Sequence, residues 1–300
     1  MVDFLNDPQL QDRLAQFNQQ VTQLRFAEGL RRNAELVRAE TNLHFAKDLA
    51  FAEGVRLDLG TLRELSMQTE LSFPSVEAQV GYNLWSMQFW VSQLWEPLNP
   101  RREKTGGILQ IAGKNPGAKS VPQMSLLASL HKLACANLAV PATDISIPNG
   151  ACLQAFLEID KLTQVPKFWR LGLQVAQALQ SPVFKQANLP VLLTYVRQQL
   201  VVTAVEPTGC LQFSAGWVRN LPQIMALVQE LQLQATKNQQ LKLAFTSAEQ
   251  VVQWLTLWAD LFLESFSEAQ QLIRFVQAGR LPETQNNCAQ ADTEKSFPQV

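Results

Sequence analysis

The chain has 300 residues and carries 25 Lys plus Arg against 26 Asp plus Glu, which gives a net charge of -1. This length supports one large domain or two closely packed domains with a substantial core, and excludes a small fold that needs disulfides or metals for stability. A chain with almost no net charge lacks the broad positive field that holds nucleic acid or an anionic membrane, so neither partner is expected.

Apolar residues recur at three- and four-residue spacing along most of the chain, which predicts an all-α protein. Asp7 and Pro8 form a cap and first-turn pair, and they predict a helix over residues 8–26. A second helix is expected over residues 30–53, where Gly54 stops it.

Further helices are expected after the next capping signals. Asp58 predicts a short helix over residues 59–67, and Pro74 with Ser75 begins what the pattern indicates is the most strongly amphipathic helix. Its buried face is predicted to consist of Val80, Leu84, Phe89 or Trp90, and Trp95.

A long connection, EPLNPRREKTGGILQIAGKNPGAKSVP, covers residues 96–122 and is too rich in Gly, Pro and charge for a helix. Its residues 108–111 are expected to form a small strand or hairpin arm. The basic loop 97–122 suits either an acidic partner or phosphate, or an ordinary solvated loop, and the solvated loop is the favoured interpretation. Its basic residues are Arg101, Arg102, Lys104, Lys114 and Lys119.

The second half of the chain is predicted to be helical as well. Helices are expected over residues 123–138 and 153–162, and Pro166 opens another that Ser181 halts. The segment over residues 189–205 has one charge, Arg197, which predicts a helix in the centre of the bundle, ended by Pro207 and Gly209.

The last helices are predicted from two further capping signals. Asn220, with Pro222 in the first turn, is expected to cap a helix over residues 223–234. Thr246 or Ser247 is expected to begin a long helix that ends at Ala278. The polar tail over residues 281–300 lacks periodicity, which predicts disorder.

The cysteines and the first residues indicate a cytoplasmic protein. The four cysteines, Cys135, Cys152, Cys210 and Cys288, form no C-x-x-C pair and have no histidine at zinc-ligand spacing, so reduced thiols and no metal site are expected. The first residues, MVDFLNDPQLQDRL, show no basic segment followed by an apolar one. No stretch reaches the roughly 18 apolar residues of a membrane helix.

Three segments, in order, resemble parts of the Fic, or Fido, family: LAFAEGVRLDLGTL over 49–62, GGILQIAGKNPGAKSVP over 106–122, and KFWRLGLQVAQALQSPVFKQANLPVLLTYVRQQLVV over 167–202. The family is a helical bundle whose active members transfer a nucleotide monophosphate to a protein hydroxyl. The first segment is similar to the S-x-x-x-E-G element, with Glu53 and Gly54 retained. The second resembles the flap hairpin that clamps the target. The third has the helix, loop and helix that carry H-P-F-x-[DE]-G-N-G-[KR].

The resemblance implies a division of the chain and a set of roles for the motif. It implies an N-terminal helical region over 1–70 that carries the E-G element, a Fido-like core over 71–280 and a tail over 281–300. In the motif a histidine takes the proton of the attacking hydroxyl and a carboxylate holds Mg²⁺. The G-N-G turn and the closing Arg bind phosphate.

Both ways of aligning the motif predict that these roles are lost. Alignment on Ser181 and Pro182 puts Ser181 at the histidine, Lys185 at the carboxylate, Ala187 at the asparagine and Leu189 at the arginine. The resemblance therefore implies no catalytic residue and no metal ligand in this register.

Alignment on Phe184 puts Gln186 at the carboxylate and keeps Asn188, but Leu189 and Pro190 replace the closing Gly and Arg. This second alignment therefore also implies that the motif has no catalytic residue and no metal ligand. The residues of the degenerate loop that form a candidate ligand pocket are Ser181, Pro182, Phe184, Lys185, Gln186 and Asn188.

Three hypotheses follow for the function. The leading one is a catalytically degenerate Fic-like protein that serves as a binding or regulatory module for an unknown protein partner, with no cofactor expected and residual nucleotide binding left open. The second is a nucleotide-using enzyme in which Glu53, Lys185, Asn188 and Arg197 are the candidate residues. The third is an unrelated helical scaffold. The two histidines, His44 and His131, lie within helical patterns and are interpreted as packing or surface residues.

Overall fold

The computed structural model describes residues 3–68, 73–95, 121–138, 149–238 and 248–280. All regular structure in these ranges is helical and none of it is strand, so the all-α prediction is confirmed there. A short 3-10 helix, Asp3–Asn6, is followed by α1 Pro8–Arg25, α2 Glu28–Ala52, α3 Leu59–Met67, α4 Val76–Ser92, α5 Gln123–Ala134, α6 Gly150–Asp160, α7 Lys167–Gln180, α8 Asn188–Val202, α9 Phe213–Asn238 and α10 Ala248–Gln277. The predicted strand at residues 108–111, the five basic residues of the loop, Cys288 and the tail lie outside the described residues.

Side-chain caps begin several helices at the residues that the sequence indicates. Asp7 accepts hydrogen bonds from the N–H groups of Gln9 and Leu10, Asp58 accepts from Thr61, and Ser75 accepts from Ala78. These caps occupy the first amide groups, which have no partner inside a helix. Gly54 follows α2 with a φ of +81°, a backbone conformation that favours glycine, as expected.

The helix α8 lies at the centre of the bundle. All of its residues from Pro190 to Val201 are buried, and it packs against α4, α5 and α7. Around it, α2 packs against α4, α9 and α10, while α1 packs against α10 and α6 against α7. The predicted central position of this apolar helix is therefore confirmed. The predicted end of the helix is wrong, because α8 stops at Val202. The chain then turns at Ala204, which has a φ of +57°, before it reaches Pro207.

The predicted buried face of α4 is partly wrong. Leu84 is buried, and so is Trp95 beyond the end of the helix, but Val80 and Trp90 are only half-buried. Phe89 is 46% exposed and stacks on the ring of Trp85, with centroids 5.3 Å apart. The helix ends at Ser92, so Trp95 lies three residues beyond it.

Amide side chains occupy the buried face of α4 in place of those apolar residues. Asn83 Nδ2 donates to the carbonyl oxygens of Ala134 and Ala136, at 3.2 and 2.7 Å, and so binds carbonyl groups at the end of α5. Gln88 Nε2 donates to Thr194 Oγ1 of α8 at 2.5 Å. Buried amides are tolerated because these hydrogen bonds replace those they would make with water.

The predicted start of α9 is also wrong. The helix begins at Phe213 and continues through Pro222, and Asn220 is inside it rather than at its cap. Asn220 Nδ2 donates to the carbonyl oxygen of Gly216 at 2.9 Å. A proline inside a helix costs about 3 kcal/mol. That cost is offset by packing, since Trp217 and Ile224, on either side of the proline, are both buried in the core.

One apolar core contains buried residues from both sides of the predicted boundary near residue 70, among them Phe45 and Leu84. The division of the chain at residues 70 and 280 stays a prediction. Among the described helices, none is both long enough and apolar enough to span a membrane.

Candidate functional site

The loop between α7 and α8 is held by the side chain of Asn188, the first residue of α8. Its Oδ1 accepts hydrogen bonds from the backbone N–H groups of Val183 and Phe184, at 3.1 and 3.2 Å. Its Nδ2 donates to the carbonyl oxygen of Ala178 at 3.0 Å. One amide therefore ties together the end of α7, the loop and the start of α8, and its hydrogen bonds are made with the backbone.

Two further features define the shape of this loop. Ala187 has a φ of +51°, and this left-handed residue turns the chain into α8. The N–H of Asn149, which caps α6, donates to the carbonyl oxygen of Val183 at 2.7 Å. The loop is thus fastened to three helices, α6, α7 and α8, by short polar contacts.

Phe184 anchors the loop to α5. Its ring is buried and stacks on the imidazole of His131, with centroids 4.3 Å apart and an angle of 9° between the planes. His131 is fully buried, and its Nε2 lies 3.6 Å from the Sγ of Cys135. The candidate pocket residue Phe184 is therefore part of the core beneath the loop, where it does not face solvent.

The loop presents few groups to solvent. Pro182, Lys185 and Gln186 are exposed and Ser181 is partly exposed. None of the four carries a carboxylate or an imidazole. They therefore provide neither a general base of the usual kind nor the oxygen ligands that Mg²⁺ prefers.

Cys152 of α6 lies next to Ser181. Burial raises the pKa of the Cys152 thiol, while a hydrogen bond with the Ser181 side chain opposes that rise. A thiol with a raised pKa is mostly protonated at neutral pH and is a poor nucleophile. This pair therefore does not replace the missing base.

Glu53 lies at the C-terminus of α2, with Gly54 after it. The Glu53 side chain is exposed, but the protein atoms around its carboxyl remove enough water to raise its pKa. Burial, and secondarily the charge of Glu53, raise the pKa of Cys135. Glu53 and the loop therefore both lie near the same part of α5. In addition, Ala52 and Leu189, the neighbours of Glu53 and Asn188 in the chain, line one narrow crevice.

Arg197, a candidate for the nucleotide pocket, lies in the core and away from the exposed part of the loop. Its Nη1 donates to Asn42 Oδ1 and Gln88 Oε1, at 2.8 and 2.9 Å. Its Nη2 donates to the carbonyl oxygen of Gly209 at 2.7 Å. Burial lowers the pKa of Arg197 to about 10, so the guanidinium stays charged at neutral pH. These contacts join α2, α4, α8 and the segment after α8.

A second buried group continues this network. Glu206 accepts hydrogen bonds from the N–H groups of Thr208 and Gly209, at 2.9 and 3.0 Å, and Arg38 Nε donates to the carbonyl oxygen of Thr208 at 2.8 Å. The guanidinium groups of Arg38 and Arg197 lie 5.4 and 5.0 Å from the ring centroid of Trp95. The network therefore stabilises the turn after α8.

The two histidines have different surroundings. His44 of α2 is mostly buried, and burial together with the nearby charges of Lys47 and Arg63 lowers its pKa to about 4. The sequence does not indicate that His131 lies against the loop, because it is 53 positions before Phe184 in the chain. No local pattern predicts a stacking contact across that separation.

Across the ranges that the structure describes, no group of three or more His, Cys, Asp or Glu side chains is arranged to hold a metal ion. In comparisons with known proteins, no family model matches the chain, and no curated protein matches it.

Proposed function

We propose that this protein is a catalytically degenerate, Fic-like binding or regulatory module, and that its loop over residues 181–188 contacts a protein partner. One observation carries the proposal. Asn188 fixes the loop through three hydrogen bonds, while the side chains that the loop exposes include no carboxylate and no imidazole. A rigid loop loses little conformational entropy on binding, which suits recognition.

The placement of Glu53 supports the likeness to the Fic family. The resemblance requires the E-G element and the degenerate loop to be neighbours in space. Glu53 acts electrostatically on Cys135, which contacts His131, and His131 stacks on Phe184 of the loop. The crevice shared by Ala52 and Leu189 is a second point where the two elements approach each other.

The chemistry of nucleotide transfer argues for a function other than catalysis. Transfer needs a base for the attacking hydroxyl and a carboxylate for Mg²⁺, and loss of the base alone lowers a rate by about 10² to 10⁴. His131 is fully buried, so it does not replace that base at the surface. Arg197 and Asn188 make their hydrogen bonds within the fold, which argues against the repurposed nucleotide enzyme.

A labelling assay tests the absence of catalysis. The full chain is incubated with radiolabelled ATP, GTP or CTP and Mg²⁺ or Mn²⁺, and no covalent label is expected on the chain itself or on added cell extract. Metal-dependent labelling that Lys185→Ala or Ser181→Ala abolishes, while both variants stay folded, would overturn the proposal. A thermal-shift series with ATP adds a binding test, because a ligand at 100 times its Kd stabilises by about 2.7 kcal/mol. No such shift is expected.

Site-specific photocrosslinking tests the role of the loop. A photoreactive amino acid replaces Gln186, which is exposed on the loop, or Gln19, which is exposed on α1. In cells that make the protein, a discrete crosslinked species is expected from position 186 and not from position 19. Equal crosslinking at both positions, or none at position 186, would show that the loop is not the contact surface.

A further inference from the structure

Helix α4 carries almost no charge, although part of its surface faces solvent. From Ala78 to Trp95 the chain has no Asp, Glu, Lys or Arg. The helices α2, α3, α5 and α8 pack against α4 inside the bundle. A surface helix typically carries charged or polar residues on the face that it turns to solvent. The outer face of α4 departs from this pattern.

Aromatic side chains form a continuous row on this outer face. The ring centroids of Phe73 and Tyr82 are 5.1 Å apart, and that of Trp85 lies 5.5 Å from Tyr82 and 5.3 Å from Phe89. Phe89 is 46% exposed, and the other three rings are partly exposed. These four residues form the aromatic strip. Single exposed apolar residues are ordinary on protein surfaces, whereas a contiguous row of them is typical of a contact surface.

The composition of the aromatic strip favours an uncharged partner surface. The cores of protein interfaces are enriched in Tyr, Trp and Phe and depleted of charged residues. The polar residues of α4 beside the strip, Ser86 and Gln93, are also uncharged, so a partner that is recognised by its charge finds no complement there. A two-fold contact brings the same surface of both copies together. A face without charge meets an identical face without like-charge repulsion, which fits a second copy of this chain.

The spacing of these side chains makes the face complementary to itself. Positions i, i+3, i+4 and i+7 lie on one face of a helix, and this spacing is found at Tyr82, Trp85, Ser86 and Phe89. In an antiparallel pair whose two-fold axis passes between positions 85 and 86, Tyr82 of each copy lies opposite Phe89 of the other. The same register places the large Trp85 opposite the small Ser86. Rings therefore meet rings at both ends of the contact, and a large side chain meets a small one at its centre.

We propose that the aromatic strip is the two-fold interface of a homodimer, in which α4 packs antiparallel against α4 of a second copy. The helix has 17 residues and is about 25 Å long. The strip and its uncharged neighbours offer roughly 500 Å² per copy, because each partly exposed aromatic side chain has about 150 to 250 Å² of surface in all. A total of roughly 1,000 Å² is the lower limit for a specific interface, so a reversible dimer with a micromolar Kd is expected. The dimer does not depend on the function proposed for the loop, because no residue of the loop belongs to the strip.

Sedimentation velocity of the full chain tests the existence of the dimer. The measurements are made with a reducing agent at concentrations from about 1 to about 200 µM, a range that spans a micromolar Kd. A reversible change is expected from the monomer mass of 33.6 kDa to twice that mass, without larger species, because a two-fold contact closes on itself. A monomer at all of these concentrations overturns the proposal, and so does growth beyond the dimer.

Charges of opposite sign at position 86 test the two-fold axis. Ser86 is partly exposed, so the monomer should accept Lys or Glu at this position, and circular dichroism checks that both variants are folded. Across the axis each charge meets the same charge of the second copy, so Ser86→Lys alone and Ser86→Glu alone should each dimerise at least about tenfold more weakly than the wild-type chain. An equimolar mixture should regain a dimer that contains one copy of each variant. Unweakened dimerisation of either variant alone, or a mixture that stays monomeric, overturns the proposal.

A matched pair of phenylalanine variants tests the location of the interface, and it also serves if a variant at position 86 does not fold. Phe89→Lys replaces an exposed ring of the strip and should raise the Kd of the dimer at least about tenfold. Phe51→Lys is the control, because Phe51 is 48% exposed, lies on α2 and does not belong to the strip. Its dimer should have the Kd of the wild-type chain. Equal Kd values for the two variants would show that the dimer, if one forms, uses another surface, and would overturn the proposal.

Discussion

The imidazole of His131 stacks on the ring of Phe184, and this contact joins α5 to the loop that carries the degenerate motif. Both side chains are buried, so the stack is part of the core beneath the loop. The loop therefore owes its position to packing with α5 as well as to its own hydrogen bonds. The shape of the loop therefore depends on the packing of α5 beneath it as well as on the hydrogen bonds of Asn188.

Truncation of the buried ring should destabilise the protein strongly. Phe184→Ala removes the stack and leaves a cavity, and it is expected to lower the free energy of unfolding by about 3 to 5 kcal/mol in urea titrations. Phe89→Ala is the matched control, since Phe89 is 46% exposed and its loss should cost about 1 kcal/mol or less. Equal losses for the two variants would show that Phe184 does not support the core.

Asn188 should be essential for the loop and dispensable for the rest of the fold. Asn188→Ala leaves the N–H groups of Val183 and Phe184 and the carbonyl of Ala178 without their partner, which should cost about 1 to 3 kcal/mol. Hydrogen exchange at Val183 and Phe184 should accelerate in this variant. The exposed neighbour provides a control, because Gln186→Ala is expected to change stability by no more than about 0.5 kcal/mol. Unchanged exchange in Asn188→Ala would contradict its anchoring role.

Arg197 should behave as a structural residue. Arg197→Ala leaves the buried oxygens of Asn42, Gln88 and the carbonyl of Gly209 without this donor, and each buried group left without a partner costs about 1 to 3 kcal/mol. Arg219, whose side chain is 47% exposed, is the control, and Arg219→Ala should cost less than about 1 kcal/mol. Thermal and urea unfolding measure the loss of stability in each of the two variants. An Arg197→Ala protein as stable as the wild type would contradict this structural role and would make Arg197 a candidate ligand-binding residue again.

The stability of the protein should fall in mild acid partly because of His44. Its pKa is lowered to about 4 in the folded chain, against an ordinary value of 6.5, because burial and the charges of Lys47 and Arg63 oppose protonation. The unfolded chain therefore takes up the proton first, and stability is lost as pH falls from about 6.5 to about 4. The loss due to this residue is expected to be roughly 2 to 3 kcal/mol.

The His44→Gln variant separates the contribution of His44 to acid destabilisation from the contributions of the carboxylates, which also titrate in this pH range. His44→Gln cannot take up the proton, so its free energy of unfolding should decrease less between pH 6.5 and 4.5 than that of the wild-type chain. Parallel curves for the two proteins over this range would contradict the assignment.

Much of the helical layout is predictable from the sequence because helix ends are local. Asp7, Asp58 and Ser75 cap helices with side chains that reach amides two or three residues later, and Gly54 ends α2 with its own backbone. The central position of α8 is also predictable, since a helix with one charge in fifteen residues has no polar face for solvent.

The errors occur where tertiary contacts oppose a local signal. Asn220 and Pro222 have the pattern of a helix start, yet the burial of Trp217 and Ile224 keeps α9 continuous across them. In α4 the rule that apolar side chains face inward fails, because Asn83 and Gln88 find partners on α5 and α8. Such partners are distant in sequence and no local pattern indicates them.

The amino-acid sequence by itself determined the helical class of this protein, the capped starts of several helices and the lack of carboxylate and imidazole side chains over residues 181–188. These properties depend on residue type and on neighbours within about one helical turn. Only the tertiary structure decided that His131 lies under Phe184, that Arg197 belongs to the core and that Asp48 accepts a hydrogen bond from Ser214. The positions of these side chains depend on helices that are far apart in sequence and pack together in the fold. Such packing excludes water from polar groups only once the bundle has assembled.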